Sequence, residues 1–178
     1  LGGLRTGIVL GTVTGGIRSG ETFLSKTRSS ASTDADLPCR AAPESAALAV
    51  ARRLRLSPVN LTVNTACASG TTAIGLAFRM IRDGKADRLL AGGAEALSLF
   101  VASGFSALKL LTTDAIRPFD RRRSGFLLGE GAAFVVLERL SSARRRGARV
   151  FGTILGYGAS ADATGMVKPD LTGSGLAR

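Results

Sequence analysis

Of the residue types that do covalent chemistry, the one set in a suggestive context is Cys67, in the segment NTACASG. It lies between a β-branched strand pattern, LTVNT, and a helical pattern opening ASGTTAIG. A thiol there stands at a strand-to-helix turn. The unpaired N–H groups and positive dipole end of a helix N-terminus stabilise an anion, which favours the nucleophilic thiolate. Ala66, Ala68, Ser69 and Gly70 are small, so they leave the sulfur open and let backbone pass close, as tight nucleophile turns require. The backbone N–H of Cys67 suits the oxygen of an attacked carbonyl, as half of an oxyanion hole. The implied chemistry is nucleophilic attack on a carbonyl. Turn and spacing alone fit equally a small, buried, inert cysteine.

Other candidate chemistry is thin. The chain contains no histidine, so Cys67 has no imidazole base of its own. Cys39, in LPCRAAPE, has no neighbouring base or metal partner and reads as incidental. The two cysteines stand 28 residues apart, which matches neither a disulfide framework nor a metal-ligand pair, so no metal site is expected. The turn GTVTGG lacks the Lys and Ser/Thr of a P-loop and does not fit G-x-G-x-x-G, which sets nucleotide binding aside.

The elements that must position Cys67 alternate between apolar strand patterns and helices, the order of an α/β protein with a largely parallel sheet. Thr6 to Val13 reads as a strand ending in the glycine-rich turn of Gly11, Gly15 and Gly16. Residues Ser19 to Cys39 are polar and read as a surface excursion. Pro43 and Glu44 open a helix to about Leu54, with proline in the first turn, where its missing N–H has no helical partner. Leu61 to Thr65 is a short strand, and Ala68 to Asp83 a helix closed by Gly84 as the left-handed residue past its end. Ala86 to Gly92 and Ala133 to Leu140 are further strands, the second followed by a short basic helix, and Val150 to Gly158 begins another.

The composition bounds the classes. At 178 residues and 45% apolar content the chain suffices for one core, burying roughly 70% of its unfolded surface. No run approaches the roughly 18 to 20 apolar residues of a membrane span, and the N-terminus lacks signal-peptide zones. A cytoplasmic protein without membrane association is expected. The net charge of +11, from 24 basic and 13 acidic residues, calls for an acidic partner or a solvated basic face. Clusters at Arg121 to Arg123 and Arg144 to Arg146 have no interleaved aromatic residues to stack on bases, which argues against nucleic acid. A start at Leu1 and the lack of histidine suggest a piece of something longer.

Three blocks give the text a longer identity. VNLTVNTACASGTTAIGLAFRMIRDGKADRLLAGGAEA, RPFDRRRSGFLLGEGAAFVVLERLSSARRRGARV and GYGASADA occur in order, and together the sequence resembles the β-ketoacyl-(acyl carrier protein) synthases of fatty-acid and polyketide assembly. The resemblance implies a thiolase-like α/β fold, layered α-β-α-β-α in the whole family. This chain would hold an incomplete N-terminal half (1–148) carrying the nucleophile, plus the first strand of the C-terminal half (149–178). The family's first strand is expected to precede Leu1 and to lie centrally, so its absence would split the sheet and weaken independent folding.

For function, the resemblance implies that Cys67 takes an acyl chain as a thioester for decarboxylative Claisen condensation with a malonyl unit on acyl carrier protein. The two histidines that serve that condensation belong to the C-terminal half of family members, so this chain alone is expected to be inactive in it. No bound cofactor is implied, since the substrates ride on the phosphopantetheine of the carrier protein. The carrier is the implied partner, and the full-length protein is an implied homodimer. Phe105 and Thr14 match positions lining the acyl pocket, Lys109 one that meets the acidic carrier, and Asp162 one near the substrate channel. Thr164 and Gly165 stand where relatives often carry a histidine, and Val167 and Lys168 where small and hydroxyl residues are usual. Glu95 in GGAEA and the GEGA turn at Gly129 to Ala132 are family signatures assigned to packing and internal hydrogen bonding. A non-catalytic chain-length-factor-like subunit and a thiolase-type acyltransferase remain as alternatives. Retention of the cysteine argues against the first, and the RPFDRRRSGF and GEGA blocks against the second.

Overall fold

The runs Ile8-Val9-Leu10 and Leu89-Leu90-Ala91 are apolar without alternation, the mark of strands covered on both faces. In the computed structural model, which describes residues 3–29, 34–56, 58–165 and 169–177, they form the middle of one mixed four-stranded sheet. Val167 and Lys168 lie outside the described residues.

In chain order the elements are β1 (Thr6–Gly11), α1 (Ile17–Arg28), α2 (Asp36–Ala41), α3 (Ser45–Leu54), β2 (Pro58–Val63) and α4 (Ser69–Arg82). They continue with β3 (Arg88–Glu95), α5 (Leu99–Ala107), β4 (Gly131–Glu138) and α6 (Leu140–Arg145). The sheet order is β2-β1-β3-β4, parallel except for β4, which runs antiparallel to β3. Pro58 is tolerated because it is the first residue of an edge strand.

Strand alternation sends each residue set to its own helix layer. Val9, Leu89 and Ala91 face α4, where Ala73, Ala77 and Ile81 complete a buried cluster with Val59 and Val63 packed against it. Ile8 and Leu10 face the other way, onto Ala47 and Ala51 of α3, with Leu90 and Phe134 at the margin. Each fully buried branched side chain stabilises by about 1.5–3 kcal/mol relative to exposure. Alanines on both helices let their axes approach the sheet closely.

Two polar clasps lock one end of the sheet. Arg5 donates from its backbone N–H, Nε and Nη2 to Asp87, at 2.9, 3.1 and 2.9 Å, and from Nη1 to the Gly84 carbonyl. This pairing holds the Asp87 carboxyl down at about 2. At the same end of the sheet, on β4, Glu138, its side chain 5% exposed, accepts from Arg146, Ser142 and Arg88. Arg146 first, then Ser142 and Arg88, hold it below the usual carboxylate range against the raising effect of burial.

Three expectations are corrected. The sheet has no central gap: β1 pairs with β2 along one edge and with β3 along the other over its whole length. The argument for weak independent folding from a split sheet therefore falls. The described residues within 19–39 do lie at the surface, with no buried residue in α1 or α2, but are helical over much of their length: the two helices pack on each other, and Thr22 and Thr27 of α1 bond back to the carbonyls of Arg18 and Phe23. The strand expected at 150–158 forms no ladder among the described residues, since no strand lies alongside to pair with it. Phe151 and Leu155 are 86% and 92% exposed, and Tyr157 lies instead against Gly75 of α4.

Candidate functional site

The carboxyl ends of β1, β2 and β3 meet the N-terminus of α4, the end of a parallel sheet where ligands characteristically bind. Asn64 and Thr65 leave the β2 ladder to shape the turn that carries Cys67. Ala66 adopts a left-handed conformation (φ 50°), a cost of about 1–2 kcal/mol for a residue with a Cβ. Its neighbours hold it there. The Ala66 N–H donates to Asn64 Oδ1 at 3.1 Å, and its carbonyl accepts from the Ser69 N–H at 3.0 Å and from the Ser69 hydroxyl. Ser69 Oγ also accepts from the Thr65 N–H at 2.9 Å.

The sharp turn leaves Cys67 exposed at the mouth of α4, two residues before the first helical position. That helix can sit so near the sheet because Gly11 ends β1 without a side chain. A Cβ there would lie 2.3 Å from the Ser69 carbonyl group and 2.6 Å from the Gly70 nitrogen. Asn64 was not singled out from sequence, and Ser69 was read only as a small residue, although a polar residue on each side of a small-residue turn is the available signal.

A second turn is tied to the first. Asn64 Nδ2 donates to the Val13 carbonyl at 3.0 Å, and the Thr12 N–H donates to the Val63 carbonyl at 3.1 Å. Val13 and Thr14 form one wall of an open apolar cleft of about 770 Å³. Leu99, Phe100, Phe105 and Leu108, on and just past α5, form the other. Phe105 is half-buried and meets Phe126 edge to face, with ring centroids 4.9 Å apart. Thr14 and Phe105, distant in sequence, thus share one cleft.

Lys109 is exposed and left-handed (φ 56°) just past α5, its N–H donating to the Ser106 carbonyl. Asp162 stands apart in the C-terminal loop, accepting from the Asp170 N–H at 3.0 Å. Cys39 is exposed on the short helix α2. Among the described residues no group of three or more His, Cys, Asp or Glu side chains is arranged to hold a metal, and no helix is long and apolar enough to cross a membrane.

The geometry therefore presents an open thiol at a helix N-terminus, on a turn hydrogen-bonded to one wall of an apolar cleft. Residues 1–143 match the family model described as the N-terminal domain of β-ketoacyl synthase. The chain belongs to the β-ketoacyl synthase family. Among curated relatives of this ketosynthase chain, a 3-oxoacyl-[acyl-carrier-protein] synthase 2 of Staphylococcus aureus is 43% identical over 120 residues, covering 64% of the chain and 30% of the relative. Among solved structures, the ishigamide ketosynthase/chain length factor superposes with a TM-score of 0.85 at 38% identity, covering 92% of this chain and 42% of that one. A β-ketoacyl synthase from Burkholderia phymatum also reaches 0.85, at 33% identity, covering 94% and 43%. The ketosynthase chain thus spans about 30% of the length of the Staphylococcus relative. Its layered arrangement is that of part of the thiolase-like ketosynthase fold.

Proposed function

We propose that this chain carries the acyl-accepting nucleophile of a β-ketoacyl-(acyl carrier protein) synthase. The Cys67 thiolate attacks the carbonyl of an acyl thioester; the new S–C bond forms as the carrier's C–S bond breaks, and the departing carrier thiolate takes up the proton that Cys67 released. The acyl-enzyme is then the electrophile for a decarboxylated malonyl unit in fatty-acid or polyketide assembly. The observation carrying this reading is the exposure of Cys67 on the strained turn at the N-terminus of α4, within a sequence that the family model matches.

The chain's own residues suit the first half-reaction. The turn at the start of α4 presents Cys67 to an incoming thioester, and the Cys67 N–H is one donor for the developing oxyanion. The cleft walled by Thr14 and Phe105 is apolar, as an acyl tail requires. Condensation itself calls for histidines, which this sequence does not contain. Residues 149–178 are the proposed opening of a second half, in which Asp162 contributes near the substrate channel. Exposed Lys109 and the net charge of +11 suit an acidic carrier protein, and the complete enzyme is proposed to be a homodimer.

The second cysteine supplies the control. Both thiols are exposed, but only Cys67 sits at the mouth of a long helix packed on the sheet. Mixing the chain with an acyl thioester, alone and with the C-terminal half of a family member supplied in trans, and mapping acyl mass by peptide mass spectrometry separates them. Acylation of Cys67 faster than Cys39 by about tenfold or more is expected. Equal labelling of the two, or none on Cys67, refutes the reading.

A further inference from the structure

The apolar cleft has two walls, Val13 and Thr14 on one side and residues of α5 on the other, and neither wall lies in the two buried apolar clusters. Carboxylates fasten them. On the first wall, Glu95 at the end of β3 accepts four hydrogen bonds: Oε2 from the Val13 N–H at 2.6 Å and from Thr12 Oγ1 at 3.2 Å, Oε1 from the Thr14 N–H at 3.3 Å and from the Thr14 hydroxyl. Thr12 Oγ1 in turn accepts from the Gly15 N–H at 3.0 Å, so the turn from Thr12 to Gly15 is wrapped around one carboxylate. On the second wall, Glu21 of α1 accepts from the Phe100 N–H at 2.7 Å and Glu130 from the Leu97 N–H at 3.1 Å, which pins the start of α5.

A carboxylate has about four lone-pair sites. Those of Glu95 are all taken, which leaves it no free site as a base or nucleophile. What it can do is fix where Thr14 stands. Because discrimination between apolar ligands differing by one methylene amounts to only about 10- to 200-fold, a wall free to move forfeits most of it.

We propose that Glu95 is a positioning residue for acyl chain-length selection: by holding the 12–15 turn, it sets the distance of Thr14 from the Phe105 wall. This rests on the reading of the cleft as the site of an acyl tail. Glu95→Gln keeps the shape but replaces one accepting oxygen by an NH2 group facing two donors, so the turn is released on one side. Thr14→Val keeps the volume and removes one of the four bonds.

The test uses two readouts on the same protein. Displacement of cis-parinaric acid by octanoate and by palmitate gives a ratio of affinities, and octanoyl-CoA against palmitoyl-CoA gives a ratio of Cys67 acylation rates. Glu95→Gln is expected to change the octanoate-to-palmitate ratio at least fivefold with helix content retained. Thr14→Val is expected to shift it in the same direction, and the double variant to go no further than Glu95→Gln alone. A general loss of structure lowers both members of each ratio together and leaves the ratio unmoved. If Glu95→Gln does not fold, Thr14→Val decides alone. An unchanged ratio in a folded variant overturns the proposal, as does a wild-type protein that binds neither fatty acid. If wild-type Cys67 takes no acyl group from either CoA ester, the nucleophile reading fails while the fatty-acid ratio still decides the role of Glu95.

Discussion

Cys67 and Glu95 illustrate opposite uses of a polar side chain at one sheet edge. The sulfur has no packing role, being exposed among Ala66, Ala68 and Thr65, which are exposed too. Its replacement should therefore leave stability within about 0.5 kcal/mol, as at other surface positions away from special features. Chemistry is another matter. Because an alkoxide is far less accessible than a thiolate near neutrality, Cys67→Ser is expected to slow acyl transfer by on the order of 100-fold or more. Parallel urea titrations and intact-mass acylation time courses check both halves of the statement, and equal acylation rates in the two proteins would sink it. The thiol was legible because a strand pattern, a small-residue turn and a helix start are all local signals. That Glu95 bonds internally followed from the resemblance, but its four donors were not legible, since they stand 81 to 83 positions away.

At the scale of elements, the placement of Cys67 depends on how closely the start of α4 approaches the end of β1. Adding a methyl at Gly11 puts a carbon 2.3 Å from the backbone of Ser69, and backbone cannot rotate out of the way. Gly11→Ala is expected to cost about 1–3 kcal/mol by overpacking. It should also displace the turn enough to slow Cys67 acylation by about 100-fold, the scale set by a 1 Å misplacement. Gly70→Ala, at the second position of α4 and facing nothing within 4 Å, supplies the contrast: its stability should hold or rise. Equal unfolding midpoints for the two variants would show that the close approach is unimportant.

The same elements show what local pattern conveys. The strands β1, β3 and β4 and the helix α4 stood out as long apolar runs or a helix with a glycine stop, and Gly84 does adopt φ 70°. Which strand lies beside which is a non-local property. That is why a central gap was expected where β1 in fact joins β2 to β3. Helix α1 was hidden by its Ser and Thr content, since those residues favour turns until tertiary contacts decide otherwise. The stretch from Val150 to Gly158 has strand composition but no partner strand among the described residues, and composition cannot supply one.

Across the whole molecule, the fold is held by a small apolar core and by carboxylates that bind arginines at its edges. Asp87 sits near 2 when folded, chiefly through its hydrogen bonds from Arg5, against about 3.9 in an unfolded chain. Glu138 is lowered in the same sense by Arg146. A carboxyl depressed by folding contributes stability that is complete above its unfolded value and disappears as pH falls through its folded value. Stability should therefore decline from about pH 5 towards pH 2. A second effect points the same way: the chain already carries +11 at pH 7, and protonating carboxylates raises that charge and its self-repulsion. Salt separates the two, because the Debye length of about 10 Å at 0.1 M screens long-range repulsion more than partners in contact. Urea midpoints measured at pH 7, 5, 4 and 3 should fall, and added salt should restore only part of the loss. Glu138→Gln, whose partners lie against a nearly buried carboxylate, should lower the pH 7 midpoint and flatten the acid limb that survives in salt. A limb of unchanged slope in that variant, with salt restoring the wild type completely, would assign acid sensitivity to net charge alone and remove Glu138 from the account.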